Sequence, residues 1–206
     1  MANVDVRIAE DSEILVRGPS VFHGYWNRAK ETENAFVDGW FKTGDIGNLD
    51  ENGFLSVTDR KKDLLKTSGG KFIAPQPIEN SIKLNALIGT AVVLGDRRKF
   101  ASVIISPHFP LLEEWARAND VSFTSHRDLI GDPKVIALYE GIVAEVNRGL
   151  ARYETLKKIL LVPDEFSATD GTLTPTFKLR RKAVEDRYRK EIDDLYREAE
   201  EVASPA

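Results

Sequence analysis

Between Thr58 and Glu79 stand five cations, Arg60, Lys61, Lys62, Lys66 and Lys71, and a Gly69-Gly70 pair separates the last two. Ammonium and guanidinium groups match phosphate oxygens, and glycine lets a backbone close on a ligand. The stretch therefore has the composition of a grip on a phosphate-bearing molecule. It is not a nucleotide-hydrolysing phosphate loop. That pattern needs a glycine five places before its Gly-Lys pair and a Ser or Thr after the lysine, whereas this chain has Leu65 and Phe72 there. By itself Gly69-Gly70 reads equally well as a plain turn.

Asp45 follows Gly44 directly. A carboxylate on a tight turn can accept two hydrogen bonds at once, which suits the paired hydroxyls of a ribose. As a tripeptide Thr43-Gly44-Asp45 carries no meaning; it gains some from the aromatic His23-Gly-Tyr-Trp26 run before it and Asp59-Arg60 after it. Lys178, far downstream, taken alone is a surface lysine. The histidines His23, His108 and His126 are scattered, none is at metal-ligand spacing, and no metal site is expected from them.

These groups need elements to hold them. Glu13 to Tyr25 alternates and then breaks at Gly18-Pro19, which predicts a strand and a turn. Asn27 caps a predicted helix to Phe36, and Ile46 to Val57 predicts a hairpin around Asp50-Glu-Asn-Gly53. After Thr58 the pattern changes. A helix is predicted over Pro77 to Leu84, and strands over Gly89 to Gly95, Phe100 to Ser106 and Lys158 to Pro163. Further helices are predicted over Pro110 to Asn119, from Pro133 onward and over Arg181 to Val202. The fold class that follows is α+β, with a small sheet of about three strands surrounded by helices and preceded by a thin β-rich piece.

The chain has 206 residues, 42% of them hydrophobic and 30% charged, which predicts a packed core. It has no cysteine, so disulfides and thiolate metal sites are excluded. No apolar run reaches the roughly 18 residues a membrane helix needs, and the first residues lack a signal peptide's pattern. The net charge is −4, yet residues 178–190 hold seven Lys/Arg against two acids. Such runs are ordinarily solvated faces.

Taken in order, Glu13-Ile-Leu-Val-Arg-Gly18, His23-Gly-Tyr25, Gly39-Trp-Phe-Lys-Thr-Gly-Asp45, Asp59-Arg-Lys-Lys-Asp-Leu-Leu-Lys66 and Gly70-Lys-Phe-Ile-Ala-Pro75 resemble the adenylate-forming superfamily. Leu173-Thr-Pro-Thr-Phe-Lys-Leu-Arg-Arg181 is similar to its long-chain fatty acyl-CoA synthetase branch. The resemblance covers nearly the whole chain. It implies that Asp45 holds the ribose of ATP and then AMP, with Arg60 on the same ribose or a nearby phosphate. It implies a hinge at Lys62, a thioester-forming face at Lys66, Gly69 and Gly70, and a catalytic role for Lys178 during adenylation.

Residues 1–58 would then be the end of a large adenylation domain, 59–62 the hinge and 63–206 a small mobile domain. The family's phosphate loop, magnesium-binding Thr-x-Glu segment and acyl tunnel are expected outside this chain, and the isolated piece is expected to be inactive. The implied cofactors are ATP/AMP, coenzyme A and Mg2+. The implied partners are a fatty acid and the enzyme's own N-terminal domain, in the cytoplasm or peripherally at a membrane. Two departures stand out: the superfamily's glycine before the C-terminal lysine is Phe177 here, as is common in long-chain members, and Ser12 stands where Gly-Glu is usual. A different class, a non-catalytic module whose basic run binds nucleic acid or an anionic membrane, is opposed by the pI near 5.5. The helix over 181–202 is a further candidate for partner docking.

Overall fold

The computed structural model describes residues 3–203, and the chain divides into two compact units, Met1–Leu64 and Leu65–Ala206. In the first, β1 (Asp5–Ile8) and β2 (Glu13–Arg17) form a hairpin, followed by α1 (Ala29–Ala35), β3 (Phe36–Val37), β4 (Trp40–Leu49), β5 (Leu55–Arg60) and a 3-10 turn at Lys61–Asp63. The sheet is antiparallel in the order β1-β2-β4-β3, and β5 also pairs with β4. Its β4–β5 turn forms because Asp50 Oδ1 accepts the N–H groups of Asn52 and Phe54, while Gly53 takes φ +80°. Ile14, Leu15 and Ile46 are its buried apolar side chains, and Trp26 is 89% exposed. As the sequence predicts, the unit buries little. The predicted Asn27 cap is corrected: Asn27 has φ +54° and α1 starts two residues later at Ala29, with Arg28 in the cap position.

The second unit opens with a short hairpin, β6 (Leu65–Lys66) and β7 (Phe72–Ile73), around Gly69-Gly70. Then come α2 (Pro75–Ile82), β8 (Ile88–Leu94), β9 (Ala101–Pro107), α3 (Phe109–Ala118), α4 (His126–Gly131), α5 (Pro133–Asn147), β10 (Leu156–Leu161), α6 (Arg181–Arg187) and α7 (Arg189–Ala203). The three-stranded sheet has the order β10-β9-β8. β8 and β9 are antiparallel, and β10 lies parallel to β9 after the crossover through α3, α4 and α5.

Side chains alternate along the central strand, so a strand covered on both sides is largely apolar, and its two buried serines, Ser102 and Ser106, are hydrogen-bonded to the Tyr196 hydroxyl and Asp164 C=O. β9 is buried from end to end. Val93, Val103 and Ile105 pack with Ile78, Ile82, Leu112, Leu129, Val135 and Tyr139 from the helices of one face. Val92, Leu94 and Ile104 pack with Val184, Tyr188, Ile192 and Tyr196 on the other. The result is a helix–sheet–helix sandwich, the α+β architecture expected.

The helix predicted over Arg181 to Val202 is corrected to two, because Tyr188 leaves the helical region at φ −106°, ψ 23°. Its ring lies near Phe166 and its hydroxyl donates to Asp164 Oδ2 at 2.8 Å, contacts that compete with helix continuation. α2 begins at Pro75 rather than Pro77, and proline at a first helical turn loses no needed hydrogen bond. At β8, the outer strand, Val93 N–H donates to Glu79 Oε1 at 2.8 Å, and Val93 C=O accepts from Arg181 at 2.6 Å.

Candidate functional site

Asp45 does not sit on a tight turn as the sequence predicts. It lies inside β4, paired with Arg60 of β5, at a bulge. Glu13 pairs with Ile46 and Leu15 with Lys42, so two steps along β2 span four along β4, and the surplus residues must loop out. The loop is closed by side chains. Thr43 Oγ1 donates to Ile14 C=O at 2.7 Å and accepts the Asp45 N–H at 3.1 Å. Gly44, at φ +72°, donates its N–H to Glu13 Oε1 at 3.0 Å.

The Asp45 carboxylate is 26% exposed, and its Oδ1 lies 2.6 Å from Arg60 Nε. That pair leaves the second oxygen to accept from a diol, so the two residues assigned to a ribose are brought together and already oriented by each other. Beside them, Lys61 Nζ reaches Asp11 Oδ2 at 2.6 Å and Glu13 Oε2 at 2.7 Å. These bonds raise the Lys61 pKa, chiefly through Asp11 and then Glu13, and the Lys61 ammonium holds the Asp11 carboxyl below its usual range. Lys62 lies next to it in the 3-10 turn, exposed.

In the second unit, Lys66 and the Gly69-Gly70 turn are exposed on the β6–β7 hairpin. Thr67 closes that hairpin through Lys71 C=O and Gly70 N–H, and Gly70 takes φ +79° with open space where a Cβ would stand. The plain-turn reading thus holds for its local structure. Lys66 Nζ lies 5.5 Å from the Phe72 ring centroid, on an exposed residue.

Lys178 is exposed on a separate, tight hairpin. Leu173 bridges Leu179, Phe177 N–H donates to Thr174 C=O at 2.8 Å, and Thr174 N–H donates to Lys178 C=O at 2.8 Å. Lys178 N–H also donates to Thr174 Oγ1 at 3.0 Å. Proline at 175 presets the turn, and Phe177 takes φ +59°, the left-handed region where a side chain costs roughly 1–2 kcal/mol. Among the described residues, no carboxylate lies within ion-pair distance of the Lys178 ammonium.

The base of this hairpin is fastened twice. Thr172, buried, donates to Asp170 Oδ1 at 2.5 Å. Asp170 Oδ2 accepts from Arg187 at 2.6 Å, and Arg187 also meets Asp164 at 3.2 Å. Burial works to raise the Asp170 pKa, but Thr172 and Arg187 prevail and hold it below the usual carboxylate range. On the other side Arg181 Nη1 lies 2.7 Å from Glu79 Oε1, a carboxylate that is 3% exposed at residue level. Sequence reading missed Glu13, Glu79 and Asp170 as structural hubs. The available signals were Glu13 heading the apolar run Ile14-Leu15-Val16, and Glu79 lying on the same helix face as Ile82.

Among the described residues no group of three His, Cys, Asp or Glu could hold a metal ion, so these residues do not fit a magnesium site. No helix among the described residues is long and apolar enough to cross a membrane. Arg181, Arg187 and Arg189 of the basic run are in ion pairs with Glu79, Asp170 and Asp186, which removes charge an anionic polymer would need.

With that geometry in place, residues 62–200 match the family described as AMP-binding enzyme C-terminal domain, and the chain belongs to it. It is 41% identical over 192 residues to the long-chain-fatty-acid–CoA ligase FadD15 of Mycobacterium tuberculosis, covering 93% of this chain and 32% of that protein. Against long-chain-fatty-acid–CoA ligase 1 of Schizosaccharomyces pombe it is 36% identical over 192 residues, covering 90% of this chain and 28% of the other. Among solved structures, the A-PCP didomain of carboxylic acid reductase from Segniliparus rugosus, in complex with AMP, shares the fold. Its TM-score is 0.73 at 21% identity, covering 98% of this chain and 28% of that one. The chain thus spans about a third of the curated relatives it matches.

Proposed function

We propose that this chain is the C-terminal part of an ATP-dependent, AMP-forming long-chain fatty acid–CoA ligase. The enzyme would join a fatty acid to ATP as acyl-AMP, releasing pyrophosphate, and then transfer the acyl group to the coenzyme A thiol, releasing AMP. The observation that carries the reading is Lys178, an exposed cation on a hairpin whose backbone is closed by its own hydrogen bonds and whose base is pinned by Asp170 and Arg187.

A fatty carboxylate and the ATP phosphates are both anions, and their approach is repelled. An ammonium placed between them offsets roughly 4 kcal/mol at 4 Å and an effective dielectric near 20, before its own desolvation is subtracted. Asp45 accepts from the ribose hydroxyls, with Arg60 orienting it, in both half-reactions. Lys62 is the pivot of the small domain, which presents Lys178 for adenylation and the Lys66–Gly70 face for thioester formation. The phosphate loop, the magnesium ligands and the acyl tunnel are assigned to the rest of the enzyme, which is cytoplasmic or peripheral at a membrane in this reading.

The test is Lys178→Ala in the full-length enzyme, with each half-reaction assayed separately. Acyl-AMP formation should collapse while thioesterification of supplied acyl-AMP survives; equal loss of both would sink the assignment.

A further inference from the structure

Glu13 heads β2 with 5% of its surface exposed, and its carboxylate is divided between two functions. Oε1 accepts the Gly44 N–H, the group set loose from β2 by the bulge just before Asp45. Oε2 accepts from Lys61, the residue immediately before Lys62 and 48 positions along the chain from Glu13. The surroundings are built to hold this arrangement. Glu13 N–H donates to Asp11 Oδ1 at 3.2 Å, Asp11 shares Lys61, and Gly47 N–H donates to Ser12 C=O at 3.0 Å. A Cβ at Gly47 would lie 2.2 Å from Ser56 C=O and 2.8 Å from Ile14 Cδ1, so β4 can run this close only with glycine there.

A buried carboxylate is costly unless paired, and a neutral acceptor would suffice to satisfy one N–H. The charge is needed for the second task, holding Lys61. We propose that Glu13 is a positioning residue that joins the Asp45 bulge to the root of the Lys61–Asp63 turn, so that the ribose grip and the fixed end of the pivot form one rigid piece. Rotation then begins after Lys61, and the nucleotide stays registered while the small domain moves. The inference rests on the functional reading above and adds to it a residue that touches neither substrate nor pivot.

The test uses the full-length ligase with Glu13→Gln, Glu13→Ala, Lys61→Met, Lys61→Arg and the double variant E13Q/K61M. Glu13→Gln keeps an acceptor for Gly44 but loses the ion pair. It and Lys61→Met should each lower kcat for acyl-CoA formation about tenfold, with the KM for ATP within about twofold. Glu13→Ala, which also frees Gly44, should in addition raise that KM about tenfold. The double variant should be no worse than either single change, and Lys61→Arg should restore turnover. Multiplicative losses in the double variant, a silent Lys61→Met, or equal kcat and KM effects in Glu13→Gln and Glu13→Ala would each overturn the proposal. Failure of the functional reading would show earlier and separately, as a wild-type enzyme that forms no acyl-AMP.

Discussion

The two cation-bearing regions solve opposite problems. Around Asp45 the charges named above are paired: Arg60 sits on Asp45, and Lys61 on Asp11 and Glu13. At the 173–180 hairpin the pairing is moved to the base, on Asp170 and Glu79, and the tip cation Lys178 is left exposed. On the proposed reading, a group that holds a neutral ribose in one place is best neutralised in advance. On the same reading, a group that meets anions is worth most when it arrives uncompensated, on a backbone closed by its own hydrogen bonds. The contrast separates a grip from a delivered charge.

The widest test of that contrast is Lys178→Ala, for which a loss of about 10²–10³ in acyl-AMP formation is expected from removing one such electrostatic contact. Asp45→Ala should instead weaken both half-reactions through nucleotide binding, and stopped assays of each step would tell them apart. Next in size is Arg181→Met. Leaving Glu79 buried and unpaired should cost about 3–5 kcal/mol of stability, read as a lower urea midpoint.

Asp170→Asn loosens the hairpin base without touching the tip. About a tenfold drop in acyl-AMP formation, with thioesterification spared, would place the effect on Lys178's aim. Smallest is Phe177→Gly, which releases left-handed strain but adds chain entropy to the unfolded state, for a net gain of about 0–1 kcal/mol in thermal unfolding. A marked loss of adenylation in that variant would mean that the Phe177 ring itself takes part, and that the tip is more than a charge.

Much of this was readable from residue order. The apolar runs of β8 and β9 and the α+β class follow from pattern, whereas the grouping of Asp45 with Arg60 comes from the family resemblance. The bulge at Thr43-Gly44-Asp45 was not readable, since it arises only when β2 and β4 pair out of step. The short helix α4 escaped for a related reason. Its six residues hold two buried apolar side chains, Leu129 and Ile130, too few to show a period, and its start is marked by Ser125 accepting from Asp128 N–H. The break at Tyr188 likewise depends on Asp164, 24 residues away.

Both departures from the superfamily's glycines take on a shared meaning in three dimensions. Ser12 and Phe177 each have a left-handed backbone, at φ +66° and +59°. Both therefore hold, with other side chains, a backbone region that ordinarily favours glycine.

The Glu79–Arg181 pair has an implication beyond the site. A small sheet with a bare border invites a strand from a neighbouring molecule to add itself, the usual first step toward insoluble assemblies. Here both backbone groups of Val93, on the border strand β8, are taken by Glu79 and Arg181. An intruding strand would have to evict a nearly dehydrated ion pair before forming its first bonds there. If the second unit moves on each turnover as proposed, it carries its own safeguard against sticking to its kin.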